Sequence, residues 1–122
     1  MLYTTLKIGQ EEYKLRATAA PLVELENKLG GRNPLQILMT VENGEFPSVG
    51  SLLLILHAAL QKYHHGFKME DVYNLYDKYV DEGNTYTDLI PVMIETFRVS
   101  GFFKAASQET AKETGPIVAP IQ

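Results

Sequence analysis

The stretch SLLLILHAALQKYHHG, residues 51–66, decides how the rest of the chain must fold. Its first half is apolar at almost every position, so a helix built from it is apolar on every side and has to be surrounded by other elements. Ser48 precedes the stretch and is a favourable N-cap residue, and Gly66 is a favourable stop. The sequence therefore predicts a central helix that begins after Ser48 and ends at Gly66.

Two segments near the N-terminus alternate between apolar and polar residues, which is the pattern of β-strands with one buried face. They cover residues 2–8 and 13–17. The short connection GQEE between them contains a glycine and suits a β-hairpin. An isolated hairpin is marginal in water, so we expect this one to pack on helices.

Two short helices are predicted between the hairpin and the central helix. The first begins after Thr18, carries Pro21 in its first turn and ends at the glycine pair 30–31. The second begins at Asn33, an N-cap residue followed by Pro34 at the first helical position.

Two more helices are predicted after the central one. The fourth covers residues 69–82 and stops at Gly83. The fifth begins after Thr85 or Thr87, and we expect Thr87, because Pro91 then lies in the first turn, where its missing N–H costs nothing.

The expected fold class is mainly α (α+β), with an N-terminal β-hairpin packed on a bundle of about five helices. Residues 1–103 are expected to form a single domain. From Lys104 onwards the chain has no aromatic residue, two prolines and many small polar side chains. Residues 104–122 are therefore expected to form a flexible tail.

Composition limits the chemistry open to the chain. The 122 residues contain no cysteine, which excludes disulfides, thiolate metal sites and cysteine nucleophiles. The formal net charge of -4 argues against a dedicated nucleic-acid binder, because phosphate contacts need clustered Lys and Arg. The longest apolar run, residues 52–60, is far shorter than the roughly 20 residues that cross a bilayer. We therefore expect a cytoplasmic protein with neither a membrane nor a nucleic-acid partner.

The three histidines are the first candidates for a chemical site. On a helix, His64 and His65 point about 100° apart, and His57 lies roughly 10 Å from His64 along the axis, so they do not converge on one ion. A metal site needs three or four such ligands. We interpret His65 as part of a helix end and His57 as a hydrogen-bonded core or interface residue. A metal-dependent hydrolase using His64, His65 and Asp71 is the remote alternative, and we expect no catalytic, metal or cofactor site.

The fourth helix carries the stronger signal, because its aromatic residues are spaced three apart beside acidic ones. One helix face cannot bury all of Tyr73, Tyr76 and Tyr79, and exposed tyrosine beside the carboxylates of Asp77 and Asp81 is typical of a contact surface. The alternative is that the tyrosines only seal the edge of the core. Residues 70–95 hold seven acidic side chains and one basic one, so a charged partner is expected to be basic.

Phe102 and Phe103 raise a similar choice at the end of the fifth helix. They either lock this helix onto the domain or present an apolar patch to a partner. We favour locking, because adjacent phenylalanines left exposed promote aggregation.

Four stretches resemble, in the same order, the tail assembly chaperones of long-tailed bacteriophages and prophages. They are LYTTLKIGQEEYKLRAT, LVELENKLGGRNPLQIL, LLLILHAALQKYHHGFKMEDVYNLYDKYVDEG and FRVSGFFK, and together they cover about residues 1–104. The individual pieces carry little chemical specificity, so the resemblance rests on their joint occurrence.

The resemblance implies a non-enzymatic role in the cytoplasm of the bacterial host. Such chaperones bind the tape-measure protein, help to recruit tail-tube subunits around it and are absent from the mature virion. In many phages a frameshift near the end of the gene appends a second domain. Homo-oligomerisation is expected, since a long target demands many copies. The alternatives are a small helical nucleic-acid-binding regulator and a structural tail component.

Overall fold

The structure is a computed structural model, and it describes residues 2–104. A β-hairpin precedes five α-helices, which confirms the predicted fold class. The expected tail, residues 104–122, lies outside the described residues except for Lys104. Within the described part, no helix is both long and apolar enough to cross a membrane. The elements are β1 (Thr4–Ile8), β2 (Glu11–Leu15), α1 (Ala19–Lys28), α2 (Pro34–Met39), a 3-10 turn (Thr40–Asn43), α3 (Val49–Leu60), α4 (Met69–Asp81) and α5 (Tyr86–Val99).

Helix α3 is the centre of the fold, as its sequence predicts. Strand β2 and helices α1, α4 and α5 all pack on it. Its first turn is fixed by Ser48, whose Oγ accepts a hydrogen bond from the backbone N–H of Ser51 at 3.1 Å. Its buried residues are Leu52, Leu53, Ile55, Leu56, Ala58, Ala59 and Leu60.

The predicted end of α3 at Gly66 is wrong, because the helix ends at Leu60. The residues that follow form turns, and Gly66 does not adopt the left-handed conformation expected of a helix-terminating glycine. A side chain of α3 and one of its C-cap residue bind the returning chain: Nε2 of His57 and the amide of Gln61 both contact the carbonyl oxygen of Phe67, at 3.0 and 3.4 Å. These contacts stabilise a tight turn that brings the chain back towards α3, in place of further helical turns.

The predicted hairpin is confirmed, with Thr4 paired to Leu15 and Ile8 paired to Glu11. Gly9 occupies the first position of the two-residue turn with φ of 64°, a conformation that favours glycine. The apolar face of the hairpin, which includes Leu6, Ile8 and Leu15, is buried against the helices.

The outer edge of β2 is closed by the end of α3 and the turn after it. The backbone N–H of Lys14 donates to Nε2 of His64 at 3.1 Å, and that of Arg16 donates to the carbonyl of Ala59 at 2.9 Å. The outward N–H groups of Lys14 and Arg16 are therefore satisfied within the domain, which opposes the pairing of this part of the edge with another strand.

Helices α1 and α2 begin where the sequence predicts. Thr18 is the N-cap residue of α1, although its side chain makes no capping hydrogen bond. The glycines that end α1 have φ of 71° and 87°. Asn33 caps α2 through its Oδ1, which accepts the N–H of Leu35 at 2.9 Å.

The predicted start of α5 after Thr87 is wrong, because Thr85 is the N-cap residue. Thr85 and Asp88 form a capping box: the Asp88 N–H donates to Oγ1 of Thr85 at 3.2 Å, and the Thr85 N–H donates to the Asp88 carboxylate at 2.9 Å. Pro91 consequently lies in the second turn, where it removes one backbone hydrogen bond. The capping box forms at Thr85 in spite of that loss.

Helix α5 is tied to the hairpin along its last turns. The hydroxyl of Thr96, a fully buried residue, is hydrogen-bonded to the hydroxyl of Thr4. One turn later, Oγ of Ser100 accepts the backbone N–H of Ala17 at 2.9 Å. These contacts place α5 beside β1.

His64 makes the closed edge of β2 sensitive to acid. Its ring packs edge-to-face on Tyr13 and Phe67, with centroid distances of 5.5 and 5.8 Å. Asp71 and Lys78 of α4 line the same groove. Burial, and then the positive charge of Lys14, lower the pKa of His64. Nε2 of the ring must be unprotonated in order to accept the hydrogen bond from the Lys14 N–H.

We predict that the free energy of unfolding falls as the pH is lowered from about 7 to about 5.5. Below the ordinary histidine pKa of about 6.5, the unfolded chain binds a proton that the folded state excludes from His64. His64→Gln keeps a hydrogen-bond acceptor without titrating, so it should flatten this pH dependence, whereas the exposed control His65→Gln should not. Urea unfolding at several pH values measures the effect, and equal slopes in the two variants would contradict it.

Candidate protein-binding surface

Helix α4 divides its side chains between the core and an exposed stripe. Val72 and Leu75 are buried, whereas Tyr73 and Val80 are 51% and 40% exposed and Tyr76 is half-buried. Residues 73, 76 and 80 follow the spacing that places side chains along one helix face. We call Tyr73, Tyr76 and Val80 the α4 stripe.

Two carboxylates border the α4 stripe. Asp77 follows Tyr73 by four residues and Asp81 follows Asp77 by four, so both lie on the solvent side of the stripe. Both side chains are exposed. In the part of the chain that the structure describes, the one salt bridge joins Glu95 to Arg98. Asp77 and Asp81 are therefore free to accept hydrogen bonds from a basic partner.

The stripe continues onto α5 and the loop before α3. Tyr86, at the start of α5, packs edge-to-face against Phe46 with a centroid distance of 6.4 Å, and Phe46 is 55% exposed. Burial, and then electrostatic repulsion from Tyr76, raise the pKa of Tyr86. Tyr76 lines a small cleft together with Leu89 of α5, which places it beside the first turns of that helix. We call the α4 stripe together with Tyr86 and Phe46 the aromatic surface.

Tyr79 belongs to the core and not to this surface. It is 6% exposed, and its pKa is raised by burial first and then by Asp88 and Tyr76. The side-chain amide of Asn84 donates to the Tyr79 carbonyl at 3.1 Å and completes the end of α4. As the spacing of the three tyrosines predicts, one face of α4 does not bury them all.

Phe102 and Phe103 lie at the other end of α5 from Tyr86, about 20 Å along the helix axis. Phe102 is 47% exposed, and its ring packs edge-to-face on Phe97 at 5.8 Å. Phe103 is half-buried against the core. The pair therefore contacts the domain, in line with the locking interpretation, and does not join the aromatic surface.

The histidines are dispersed among separate structural contacts. His57 is hydrogen-bonded through Nε2 to the backbone of the α3–α4 connection, as predicted. His64 and Asp71 line a common groove of about 510 Å³, but His65 does not line it. The carboxylate of Asp71 already accepts the backbone N–H of Lys68 at 2.8 Å at the start of α4. Among residues 2–104 no three His, Asp or Glu side chains come together as a ligand set.

The sequence predicts some residues of the aromatic surface but not all of them. The spacing along α4 identifies Tyr73, Tyr76 and the two aspartates. Val80 shares the helix face of Tyr73 and Tyr76, but a single valine gives no signal of its own. Tyr86 and Phe46 are missed because they lie on α5 and on the loop before α3, and only tertiary packing brings them together. A phenylalanine in the otherwise polar loop ENGEFP is the one local signal that points to this region.

Comparison with known proteins supplies a family but no activity. Residues 2–116 match the model of DUF6096, a family of unknown function, and because the match spans nearly the whole sequence, the chain belongs to that family. Neither the curated proteins nor the solved structures gave a match. The aromatic surface therefore has to be interpreted from its own chemistry.

We predict that truncation of the tyrosines of α4 separates core from surface. Tyr79→Ala should lower the free energy of unfolding by about 3–5 kcal/mol, because it leaves a cavity in the core. Tyr73→Ala should change it by less than about 0.5 kcal/mol, because the side chain is half exposed. Chemical unfolding of the two variants measures the difference, and a large loss in Tyr73→Ala would show that this side chain is part of the core.

Proposed function

We propose that this member of DUF6096 is a non-catalytic assembly chaperone that binds the tape-measure protein of a long-tailed phage. The observation that carries the proposal is the aromatic surface with exposed carboxylates along its border. The resemblance of the sequence to tail assembly chaperones supports the identity of the partner. The aromatic surface can bind a partner helix whose own apolar face packs against it.

The size of the surface suits reversible binding. Burying the exposed half of one tyrosine removes on the order of 100 Å² from water, worth about 2–3 kcal/mol at roughly 25 cal/mol per Å². Five partly exposed residues together give a gain comparable to the cost of association, about 4–15 kcal/mol. A single contact of this kind is weak, which allows the chaperone to leave when the tail is assembled.

The carboxylates select the partner's charge. Asp77 and Asp81 favour a helix whose apolar stripe is flanked by Lys or Arg, and they oppose an acidic one. Both are exposed, so their contribution to binding should fall as the salt concentration rises. Acidic residues beside the surface also oppose binding to nucleic acid.

Several copies along one tape-measure protein complete the proposed role. Many weak contacts on a long target give a high overall affinity, so the chaperone coats the target while it waits for tail-tube subunits. The complex forms in the cytoplasm of the bacterial host, and the chaperone is absent from the mature virion.

Charge insertion into the α4 stripe tests the proposal. Val80→Asp places a carboxylate at the C-terminal end of the stripe and should weaken the complex with the co-expressed tape-measure protein at least about 30-fold, the loss expected at a binding hot spot. Val23→Asp is the matched control, because Val23 is 58% exposed on α1, outside the aromatic surface. Pull-down, tape-measure solubility and titration calorimetry measure the effect. Equal binding by both variants, or no complex with the wild-type chain, would refute the proposal.

Reversing the acidic border tests the predicted charge of the partner. Asp77→Lys combined with Asp81→Lys should reduce the association rate and remove most of its salt dependence, because the steering charge changes sign. The measurement is association kinetics at low and high salt. An association rate that is unchanged at low salt would show that the partner does not present basic groups here.

A further inference from the structure

The hairpin has one closed edge and one open edge. The closure of β2 through the N–H groups of Lys14 and Arg16 shows which of its residues point outwards. Lys14 pairs with Thr5, so the backbone groups of Thr5 and Lys7 point away from β2 in the same way. Within residues 2–104, no hydrogen bond joins the backbone of Thr5 or Lys7 to another element.

A shallow apolar groove of about 350 Å³ runs beside the open edge, between β1 and α5. Pro91 and Val92 form its α5 side, together with Glu95, whose charge is neutralised by Arg98. Leu2, two residues before β1, is 52% exposed. The open edge is thus flanked by apolar surface that nothing in the described part of the chain covers.

We propose that a second copy of this chain covers the edge, by antiparallel pairing of β1 with β1 about a two-fold axis. The product is a four-stranded antiparallel sheet made from two hairpins. A two-fold contact is self-complementary, so each unpaired donor on one copy meets an unpaired acceptor on the other. This surface is separate from the aromatic surface, and the inference does not depend on the proposed function.

The charge on the edge selects the register. Pairing symmetrical about Thr5 places Thr5 opposite the partner's Thr5, and Lys7 opposite the partner's Tyr3. A register symmetrical about Lys7 would place two ammonium groups opposite each other, which is destabilising. The arrangement about Thr5 pairs the outward-facing residues of β1 in one copy with those in the other. It also keeps the two Lys7 side chains apart.

The same register covers the flanking apolar surface. Leu2 lies opposite the partner's Ile8, and the grooves of the two copies meet on one side of the new sheet. Pro91 and Val92 of the two α5 helices then approach each other across the axis. The outer strands of the four-stranded sheet are the two β2 strands, whose Lys14 N–H groups are already bonded to His64, which opposes extension beyond a dimer.

Removal of one edge donor tests the inference. Thr5→Pro deletes the N–H at the centre of the proposed contact without touching a hydrogen bond within the hairpin, and proline is tolerated on an edge strand. Thr5→Val is the matched control, because it keeps the N–H and the β-branched shape. We expect the wild type and Thr5→Val to dimerise with dissociation constants within about 3-fold of each other, and Thr5→Pro to dimerise at least about 30-fold more weakly. Sedimentation equilibrium measures the constants.

Hydrogen exchange on the wild-type chain gives a second, independent readout that needs no variant. The amides of Thr5 and Lys7 should become more protected as the protein concentration rises, while that of Lys14 should be protected at every concentration. A monomer at all concentrations, a dimer that Thr5→Pro leaves unchanged, or protection of Thr5 and Lys7 that does not depend on concentration would each overturn the inference. If Thr5→Pro fails to fold, as judged by circular dichroism, the exchange experiment alone decides.

Discussion

The burial of α3 is the constraint on which the rest of the structure depends. A helix that is apolar on every side cannot lie on a surface, so the other elements have to enclose it. The hairpin, α1, α4 and α5 each contribute one apolar face to this task and leave the opposite face in water. Enclosure also explains why the hairpin, which would be marginal alone, is stable here: it covers α3 and donates backbone hydrogen bonds to the end of α3 and to the turn that follows. The surfaces available for binding are those left over once α3 is covered.

Periodicity, capping residues and glycines were enough to predict the hairpin, the number of helices and most of their starts. They failed where a tertiary contact competes with a local preference. Helix α3 stops early because His57 and Gln61 hold the Phe67 carbonyl, a contact between residues whose proximity no local pattern indicates. Helix α5 starts early because Thr85 and Asp88 form a capping box, and the helix accommodates Pro91 in its second turn. The candidate surface divides in the same way: residues on α4 could be predicted from spacing, and those contributed by another element could not.

The chain separates two kinds of exposed surface. The aromatic surface is rich in rings and bordered by carboxylates, which suits side-chain recognition of a partner. The open edge of β1 offers backbone groups with an apolar flank, which suits pairing with an identical strand. Pairing through β1 would leave the α4 stripe of each copy accessible, so a dimer of this kind presents two binding surfaces to one long target. Two linked sites raise the effective concentration of the second contact without any change in the first.

The distribution of the tyrosines has a practical consequence for spectroscopy. The chain contains seven tyrosines and no tryptophan, so tyrosine dominates its near-ultraviolet absorption and its emission. Tyr73, Tyr76 and Tyr86 are in partial contact with water on the aromatic surface, whereas Tyr79 is enclosed in the core. A ligand that excludes water from this surface therefore changes the tyrosine absorption and emission of the chain directly, without an added dye or label. Tyr79 adds a contribution that changes when the core unfolds.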